Sequence, residues 1–241
     1  MQLYPAIDIK KGQCVRLRQG QFQNVEVYSN SPEEIAEKWQ ELGGSFIHVV
    51  DLDGALVGKS VNEDVIKRIV EKVNAPVQVG GGIRSIQDIE RKLNLGVSRV
   101  IIGTKAVEDP KMVKEAIRLF GSDKIVIGID AKNGLVAVEG WEKVSKLTAI
   151  DLCKQMQNIG VKTIVYTDIS KDGMLMGPNV DSTGLLVSET NLDIIASGGV
   201  TSLKDLENLS KIKVQGAIIG KALYTDKINL DEAVKMFERG K

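Results

Sequence analysis

Short apolar segments alternate with longer amphipathic segments along the whole chain, eight of each. The apolar segments are rich in Val and Ile, which is typical of parallel strands covered on both faces. A barrel of eight strand–helix units takes roughly 250 residues, and this chain has 241. The sequence therefore predicts one α/β domain over residues 1–241, a (β/α)8 or TIM barrel, with an open doubly wound sheet as the alternative. The predicted strands are 3–9, 46–50, 76–79, 99–102, 124–129, 163–166, 192–196 and 214–219.

Local signals mark where the helices begin. Ser31, Pro32 and Glu34 predict an N-cap, a first-turn proline and a capping box. Ser85 is the predicted N-cap of a later helix, with Asp88 as the acid three residues further on. The remaining helices are predicted to begin near Asn62, Asp109, Thr148, Asp181, Ser202 and Asn229.

The chain also repeats itself. The segment GGIRS at 81–85 recurs as GGVTS at 198–202, and 198 − 81 = 117. The same offset relates 101–104 to 218–221 and 49–51 to 166–168, whereas Asp8 matches Asp130 at an offset of 122, so the first unit contains a short insertion. The repeat predicts two half-barrels, roughly 1–122 and 123–241.

The repeated glycines lie at predicted strand-to-helix turns. Glycine lets a ligand approach the backbone closely, and the start of a helix attracts a phosphate. A single glycine-rich turn is commonly only a tight turn, but two copies favour phosphate binding. Because all such turns of a barrel face one rim, we expect two phosphate sites on opposite sides of its mouth. A ligand with a phosphate at each end fits this arrangement.

Two aspartates stand where apolar strands enter that mouth. Asp8 and Asp130 are costly there unless they are paired or used in chemistry, so we interpret them as functional. The alternative is that they cap neighbouring turns. For Asp51 and Asp168 the two interpretations stay open.

Composition excludes several classes of partner. The chain has 32 basic and 32 acidic residues, so no overall field attracts nucleic acid or an anionic membrane. Cys14 and Cys153 lack metal or redox spacing and are expected to be buried thiols. No leader pattern and no apolar run of about 18 residues is present. We expect a cytoplasmic monomer with no metal, no cofactor and a small-molecule ligand.

Ordered motifs over nearly the whole chain resemble the isomerase family of histidine biosynthesis. They are PAID at 5–8, VRLRQG at 15–20, HVVDLDGA at 48–55, GGGIRS at 80–85, IGT at 102–104, GW at 140–141, TDI at 167–169 with DG at 172–173, ASGGV at 196–200 and GKAL at 220–223. The resemblance implies an Amadori rearrangement, aminoaldose to aminoketose, of the bisphosphorylated phosphoribosylformimino-aminoimidazole-carboxamide ribotide, without a cofactor.

The resemblance also assigns roles to residues. It implies that Asp130 is the general acid, that Asp8 is the base and that Thr167 lies beside the reacting sugar. Trp141, expected to be exposed in a loop after a hairpin at 132–134, would stack on the ligand, and Met174 replaces a threonine common in the family. The substrate-binding residues implied are Arg16, Gly81, Gly82, Arg84, Gly103, Thr104, Trp141, Asp172, Gly173, Gly198, Gly199, Gly220 and Lys221.

The chemistry of this rearrangement needs one acid and one base. A proton must reach the ring oxygen to open the sugar, and another must leave the neighbouring carbon. Near neutral pH the acid must keep its proton while the base stays ionised. His48 lies three residues before Asp51, so strand alternation predicts that their side chains face opposite ways, and a structural role for His48 stays open.

Three alternatives remain at this stage. The first is the sister barrel of the same pathway, a cyclase and lyase that works with a glutaminase. The second is an isomerase that also accepts phosphoribosylanthranilate. The third is a barrel that binds a sugar phosphate without turnover.

Overall fold

The computed structural model describes residues 1–18, 21–138, 140–141 and 143–238. Gln19 and Gly20, part of the motif at 15–20, lie outside the described residues. The strands are β1 Gln2–Lys10, β2 Gln13–Arg18, β3 Gln21–Ser29, β4 Ile47–Asp51, β5 Val77–Gly80, β6 Arg99–Ile102, β7 Ile125–Lys132, β8 Leu135–Val138, β9 Lys143–Thr148, β10 Thr163–Asp168, β11 Asp193–Ser197 and β12 Gly216–Ile219.

Eight of these strands close into a parallel barrel. Their order is β1, β4, β5, β6, β7, β10, β11 and β12, and β12 pairs with β1 to close the ring. The prediction of a (β/α)8 barrel is confirmed, and the open sheet is wrong.

Helices cover the outside of the barrel. They are α1 Pro32–Glu41, α2 Leu52–Val57, α3 Glu63–Lys72, α4 Ile86–Asn94, α5 Thr104–Glu108, α6 Pro110–Phe120, α7 Ala149–Asn158, α8 Val180–Glu189, α9 Leu203–Lys211, α10 Lys221–Tyr224 and α11 Leu230–Phe237. The short helices α2, α5 and α10 were not predicted. A turn of 3-10 helix, Ser122–Lys124, precedes β7.

Most of the predicted helix caps form, and one does not. Ser85, Thr148 and Ser202 each accept a hydrogen bond from the backbone N–H three residues later, and Asn229 caps α11 in the same way. Ser31 is the N-cap residue of α1, but its side chain makes no capping hydrogen bond, so the predicted box with Glu34 is wrong. The fixed backbone angle of Pro32 remains as the start signal there.

Two antiparallel hairpins extend from the barrel. They interrupt the strict alternation of strands and helices that the sequence predicted. β1 and β2 are joined by Lys11 and Gly12, and β7 and β8 by Asn133 and Gly134. All four residues have positive φ, between 49° and 78°, as a two-residue type I′ turn requires. The two turns keep the 122-residue offset, whereas the caps Ser31 and Thr148 already follow the 117-residue offset. The predicted insertion therefore lies in β2 and β3, which are 6 and 9 residues long against 4 and 6 in β8 and β9.

Burial separates an outer core from the barrel interior. The outer core joins the backs of the strands to the helices, as with Ile7, Ile47 and Ile127. A smaller apolar cluster fills the barrel itself and contains Tyr4, Ala6, Ile101, Val126, Val165, Ile195 and Ile218. This plug lies below the carboxyl ends of the strands and leaves the mouth for polar groups. Among the described residues, no helix is long and apolar enough to cross a membrane.

Candidate active site

A cavity of about 300 Å³ opens at the carboxyl ends of the barrel strands. Every residue that the sequence singled out for the site lines this one cavity. They are Asp8, Arg16, Gly81, Gly82, Arg84, Gly103, Thr104, Asp130, Trp141, Thr167, Asp172, Gly173, Gly198, Gly199, Gly220 and Lys221. The site is thus assembled from segments that are far apart in the chain.

The order of strands places the repeated features on two crossed axes. The glycine turns after β5 and β11 are four strands apart in a ring of eight, which puts them on opposite sides of the mouth. Asp8 on β1 and Asp130 on β7 are also four strands apart, on an axis at right angles to the first. A ligand held at both ends by the turns would pass between the two carboxyl groups.

The repeated turns need glycine for a physical reason. Gly81, Gly82, Gly198 and Gly199 all have φ between +75° and +98°, a region that other residues rarely adopt. A β-carbon on Gly81 would lie 2.1 Å from the backbone oxygen of Asp51, and no side chain fits there. The turns therefore pack backbone against backbone, and their open side faces the cavity.

Asp8 is paired with a cation. Nη1 of Arg16 lies 2.6 Å from Oδ2 of Asp8, and Nη2 of the same guanidinium donates to the carbonyl of Ala6 at 3.0 Å. The first hairpin brings the two residues together, because Asp8 pairs with Val15 across β1 and β2. The ring of Tyr224 lies 5.1 Å below the guanidinium and supports it. Asp8 therefore has a charged partner within hydrogen-bond distance.

Asp130 has neutral partners instead. Nε1 of Trp141 donates to Oδ2 of Asp130 at 2.8 Å, and Thr167, which pairs with Asp130 between β7 and β10, is also hydrogen-bonded to it. Burial raises the pKa of Asp130, and the hydrogen bonds from Trp141 and Thr167 only partly offset it. Trp141 was expected to be exposed, but it is half-buried because its ring turns inward to reach this carboxyl group. The equivalent neighbour of Asp8 is Val50, which has no hydroxyl group.

Asp172 is a third carboxyl group in the same cavity. Burial, together with the negative charge of Asp8, raises the pKa of Asp172 to about 6, while Arg16 lowers it and Asp130 adds to the increase. Sequence reasoning assigned Asp172 only to substrate binding. A carboxyl group with this pKa changes its protonation state near neutral pH, so it is also able to transfer a proton.

Asp51 and Asp168 are structural supports of the mouth. Asp51 is fully buried, accepts hydrogen bonds from the backbone of Gly54 and Val61, and holds the side-chain amide of Asn62 at 2.7 Å. Asp168 accepts from the side-chain amide of Asn179 at 2.6 Å. Asp51 and Asp168 are 117 residues apart, and so are Asn62 and Asn179. The repeat in the sequence is therefore a signal that could have identified the two asparagines. Each aspartate fixes the loop that packs behind a glycine turn.

The fold and the cavity define a (β/α)8-barrel enzyme that acts on a small molecule. Carboxyl groups with unlike surroundings face each other across the barrel, between two duplicated glycine turns. A family model described as "Histidine biosynthesis protein" matches residues 2–229, and the chain belongs to that family.

Curated relatives match the chain over its whole length. A protein of Lachnoclostridium phytofermentans is 67% identical over 239 residues, covering 99% of this chain and 100% of the relative. One from Acetivibrio thermocellus is 51% identical, covering 98% and 99%, and one from Clostridioides difficile is 50% identical, covering 98% of each. All three are named 1-(5-phosphoribosyl)-5-((5-phosphoribosylamino)methylideneamino)imidazole-4-carboxamide isomerase.

Proposed function

We propose that the chain catalyses the reaction for which these relatives are named, the isomerisation of a bisphosphorylated aminoaldose ribotide to the aminoketose in histidine biosynthesis. The observation that carries the assignment of roles is the contrast between two carboxyl groups at equivalent places of the repeat. Asp8 is paired with the guanidinium of Arg16, whereas Asp130 is buried among the neutral donors Trp141 and Thr167. One carboxyl group is set up as a base and the other as an acid.

The acid acts first. A proton passes from Asp130 to the ring oxygen of the ribose as the bond from that oxygen to the anomeric carbon breaks. The nitrogen lone pair forms a double bond to the anomeric carbon, which gives an open-chain iminium. Burial raises the pKa of Asp130, which favours the protonated form that an acid needs. Thr167, bonded to the same carboxyl group, holds it toward the sugar.

The base completes the rearrangement. Asp8 removes the proton from the carbon next to the iminium carbon, and the electron pair left behind neutralises the iminium nitrogen. The enaminol formed then tautomerises to the aminoketose, with a proton returned to the former anomeric carbon. These reaction steps balance in atoms and electrons and need no oxidant or metal.

Asp172 is a second candidate for the acid. Because its pKa is raised to about 6, a fraction of the Asp172 carboxyl groups is protonated at pH 6 to 7. Asp172 also lies close enough to Asp8 and Asp130 for a negative charge on either to raise its pKa. We assign the ring-opening proton to Asp130 because two neutral donors orient its carboxyl group. Asp172 then serves to hold the ligand between the two halves of the mouth.

The two glycine turns hold the phosphates. Gly81, Gly82, Gly103, Thr104 and the guanidinium of Arg84 form one side. Gly198, Gly199, Gly220 and Lys221 form the other. The helices α4 and α9 start behind these turns and add their positive ends to both. Fixing both ends of the substrate suspends the reacting ribose between Asp8 and Asp130.

Turnover of the purified chain on the ribotide, with no ammonia and no glutaminase present, tests the proposal. We expect the aminoaldose to be consumed, and Asp8→Asn and Asp130→Asn each to lose at least about 100-fold in kcat. Near-normal turnover by either variant would remove that residue's role. A requirement for ammonia would favour the cyclase. A parallel assay with phosphoribosylanthranilate decides between one substrate and two.

A matched variant separates the two candidate acids. If Asp130 is the acid, Asp172→Asn lowers kcat far less than Asp130→Asn does. The reverse order would move the acid role to Asp172. We also propose that the chain is a cytoplasmic monomer, which light scattering on the purified protein and fractionation of cells would check.

A further inference from the structure

The only histidine of the chain lies on the floor of the cavity. His48 is 93% buried, with 7% of its surface exposed, and it lines the cavity. It pairs with Ala6 across β1 and β4, while Asp8 pairs with Val50, so His48 lies one layer deeper than Asp8. Strand alternation turns Asp51 away into the loop, as predicted from the sequence. The mechanism described above gives His48 no role.

A chain of hydrogen bonds runs from His48 through the barrel interior. Gln78 Nε2 lies 2.9 Å from Nδ1 of His48, and Gln78 Oε1 accepts from Nε of Arg99 at 2.8 Å. Nη2 of Arg99 donates to the hydroxyl of Tyr4 at 3.0 Å, and that hydroxyl is 3.1 Å from Oε1 of Gln215. The guanidinium also lies 4.5 Å from the ring centre of Phe46. The chain ends near the opposite, amino-terminal side of the barrel.

The direction of each bond follows from which atoms are able to donate. Arginine has donors only, so Gln78 must present its oxygen to Arg99. The amide nitrogen of Gln78 therefore faces His48, and that nitrogen has hydrogens to donate but no lone pair to accept. Nδ1 of His48 must accept, and in the neutral ring the proton then sits on Nε2. A protonated ring would place two donors against each other.

We propose that Arg99 and Gln78 are positioning residues that hold His48 as a neutral Nε2–H donor, which binds a sugar hydroxyl of the substrate from the cavity floor. Burial and the positive charges of Arg16 and Arg99 lower the pKa of His48 to about 3, in agreement with a neutral ring. The two glycine turns would hold the ligand by its phosphate ends. A hydrogen-bond donor on the floor of the cavity therefore lies below the middle of the ligand, which is the sugar. The choice of ligand group rests on the proposed function, but the choice of tautomer does not.

Nitrogen NMR of the free protein tests the tautomer directly, because one histidine gives one pair of ring signals. Long-range proton–nitrogen correlation spectra recorded from pH 6 to 8 should show a protonated Nε2, an unprotonated Nδ1 and no titration. A ring protonated on Nδ1, or an imidazolium at pH 6, would overturn the proposal. The measurement requires no turnover, so its failure is distinct from failure of the proposed function.

Gln78→Glu tests the relay. A carboxylate next to Nδ1 accepts but does not donate, so the proton of His48 should move to Nδ1 or the ring should become charged. A variant that keeps the Nε2–H tautomer would show that the relay does not set it. Adding the ribotide to the inactive Asp8→Asn variant should shift the Nε2 signal and slow exchange of its proton. An unchanged signal under saturating ribotide would overturn the contact.

Replacing His48 itself separates binding from packing. His48→Leu removes the donor, and KM for the ribotide should rise about tenfold with a smaller change in kcat, as for the loss of one hydrogen bond made in both ground and transition states. His48→Gln retains an N–H donor and should recover part of the loss. Equal KM values for the folded Leu variant and the unmodified protein would refute the role. Thermal unfolding of both variants identifies any loss that comes from misfolding.

Discussion

Asp172 links the site to the stability of the protein. Its pKa is raised from an ordinary 3.8 to about 6, so the native state holds a proton that the unfolded chain releases. Stability from this group is complete below the unfolded pKa and is lost as pH rises through the folded pKa. At 1.36 kcal/mol per unit, the loss amounts to about 3 kcal/mol at pH 8 and to less than about 1 kcal/mol at pH 4.

Replacement of Asp172 by asparagine removes the charge at every pH. Asp172→Asn should therefore be up to about 3 kcal/mol more stable than the unmodified protein at pH 8 and nearly equal to it at pH 4. Urea unfolding at both pH values measures the difference in free energy of unfolding. Asp226→Asn is the control, because Asp226 is exposed and already has a positive φ of 53° that asparagine accepts.

The reasoning makes a sign prediction that is easy to contradict. A gain of the same size at pH 4 and pH 8 would show that the effect is packing and not charge. A loss of stability at pH 8 would show that the negative charge of Asp172 is stabilised in the native protein, contrary to the pKa argument. The gain should also come with weaker binding of substrate, since the same carboxyl group lines the cavity.

Two further predictions concern the hydrogen bond from Trp141 to Asp130 and the glycine turn at Gly81. Trp141→Phe removes a donor that lowers the pKa of Asp130, so that pKa should rise further and the alkaline limb of the pH profile of kcat/KM should move to higher pH. An unmoved limb would argue against Asp130 as the acid. Gly81→Ala meets the Asp51 backbone at 2.1 Å and should cost at least about 2 kcal/mol of stability by urea unfolding. The control Gly121→Ala has a similar φ of +87° but open space around it, so it introduces backbone strain without a clash and should cost less than Gly81→Ala. Equal costs would mean that backbone strain alone explains both.

Much of the fold was predictable because its causes are local or repeated. The eight barrel strands follow from continuous apolar segments, and the caps at Ser85 and Ser202 depend on residues only three positions apart. The 117-residue offset extends to the asparagines at 62 and 179, so the supports of both turns are duplicated as well. Ser31 shows that a local capping motif is not always sufficient, because the capping hydrogen bond that the sequence predicted there does not form.

The contacts across the hairpins were not predictable. The resemblance implied that Arg16 binds the substrate, and the bend of the first hairpin also brings its guanidinium onto Asp8. Trp141 was considered for stacking, and its ring nitrogen reaches Asp130. Both depend on how far a hairpin folds over the mouth, which no spacing in the sequence expresses. The chain from Arg99 through Gln78 to His48 likewise joins three strands by contacts inside the barrel.

The sequence by itself determined the barrel, its twofold repeat and the set of residues that meet at the mouth, because periodicity and repetition are properties of the chain. Only the tertiary structure decided how the two equivalent aspartates differ. Protonation depends on burial and on the distance to other charges, and these are set where separate segments pack together. A valine beside Asp8 and a threonine beside Asp130, with Arg16 on one side and Trp141 on the other, give this symmetric pair the unlike surroundings on which the proposed roles of base and acid rest.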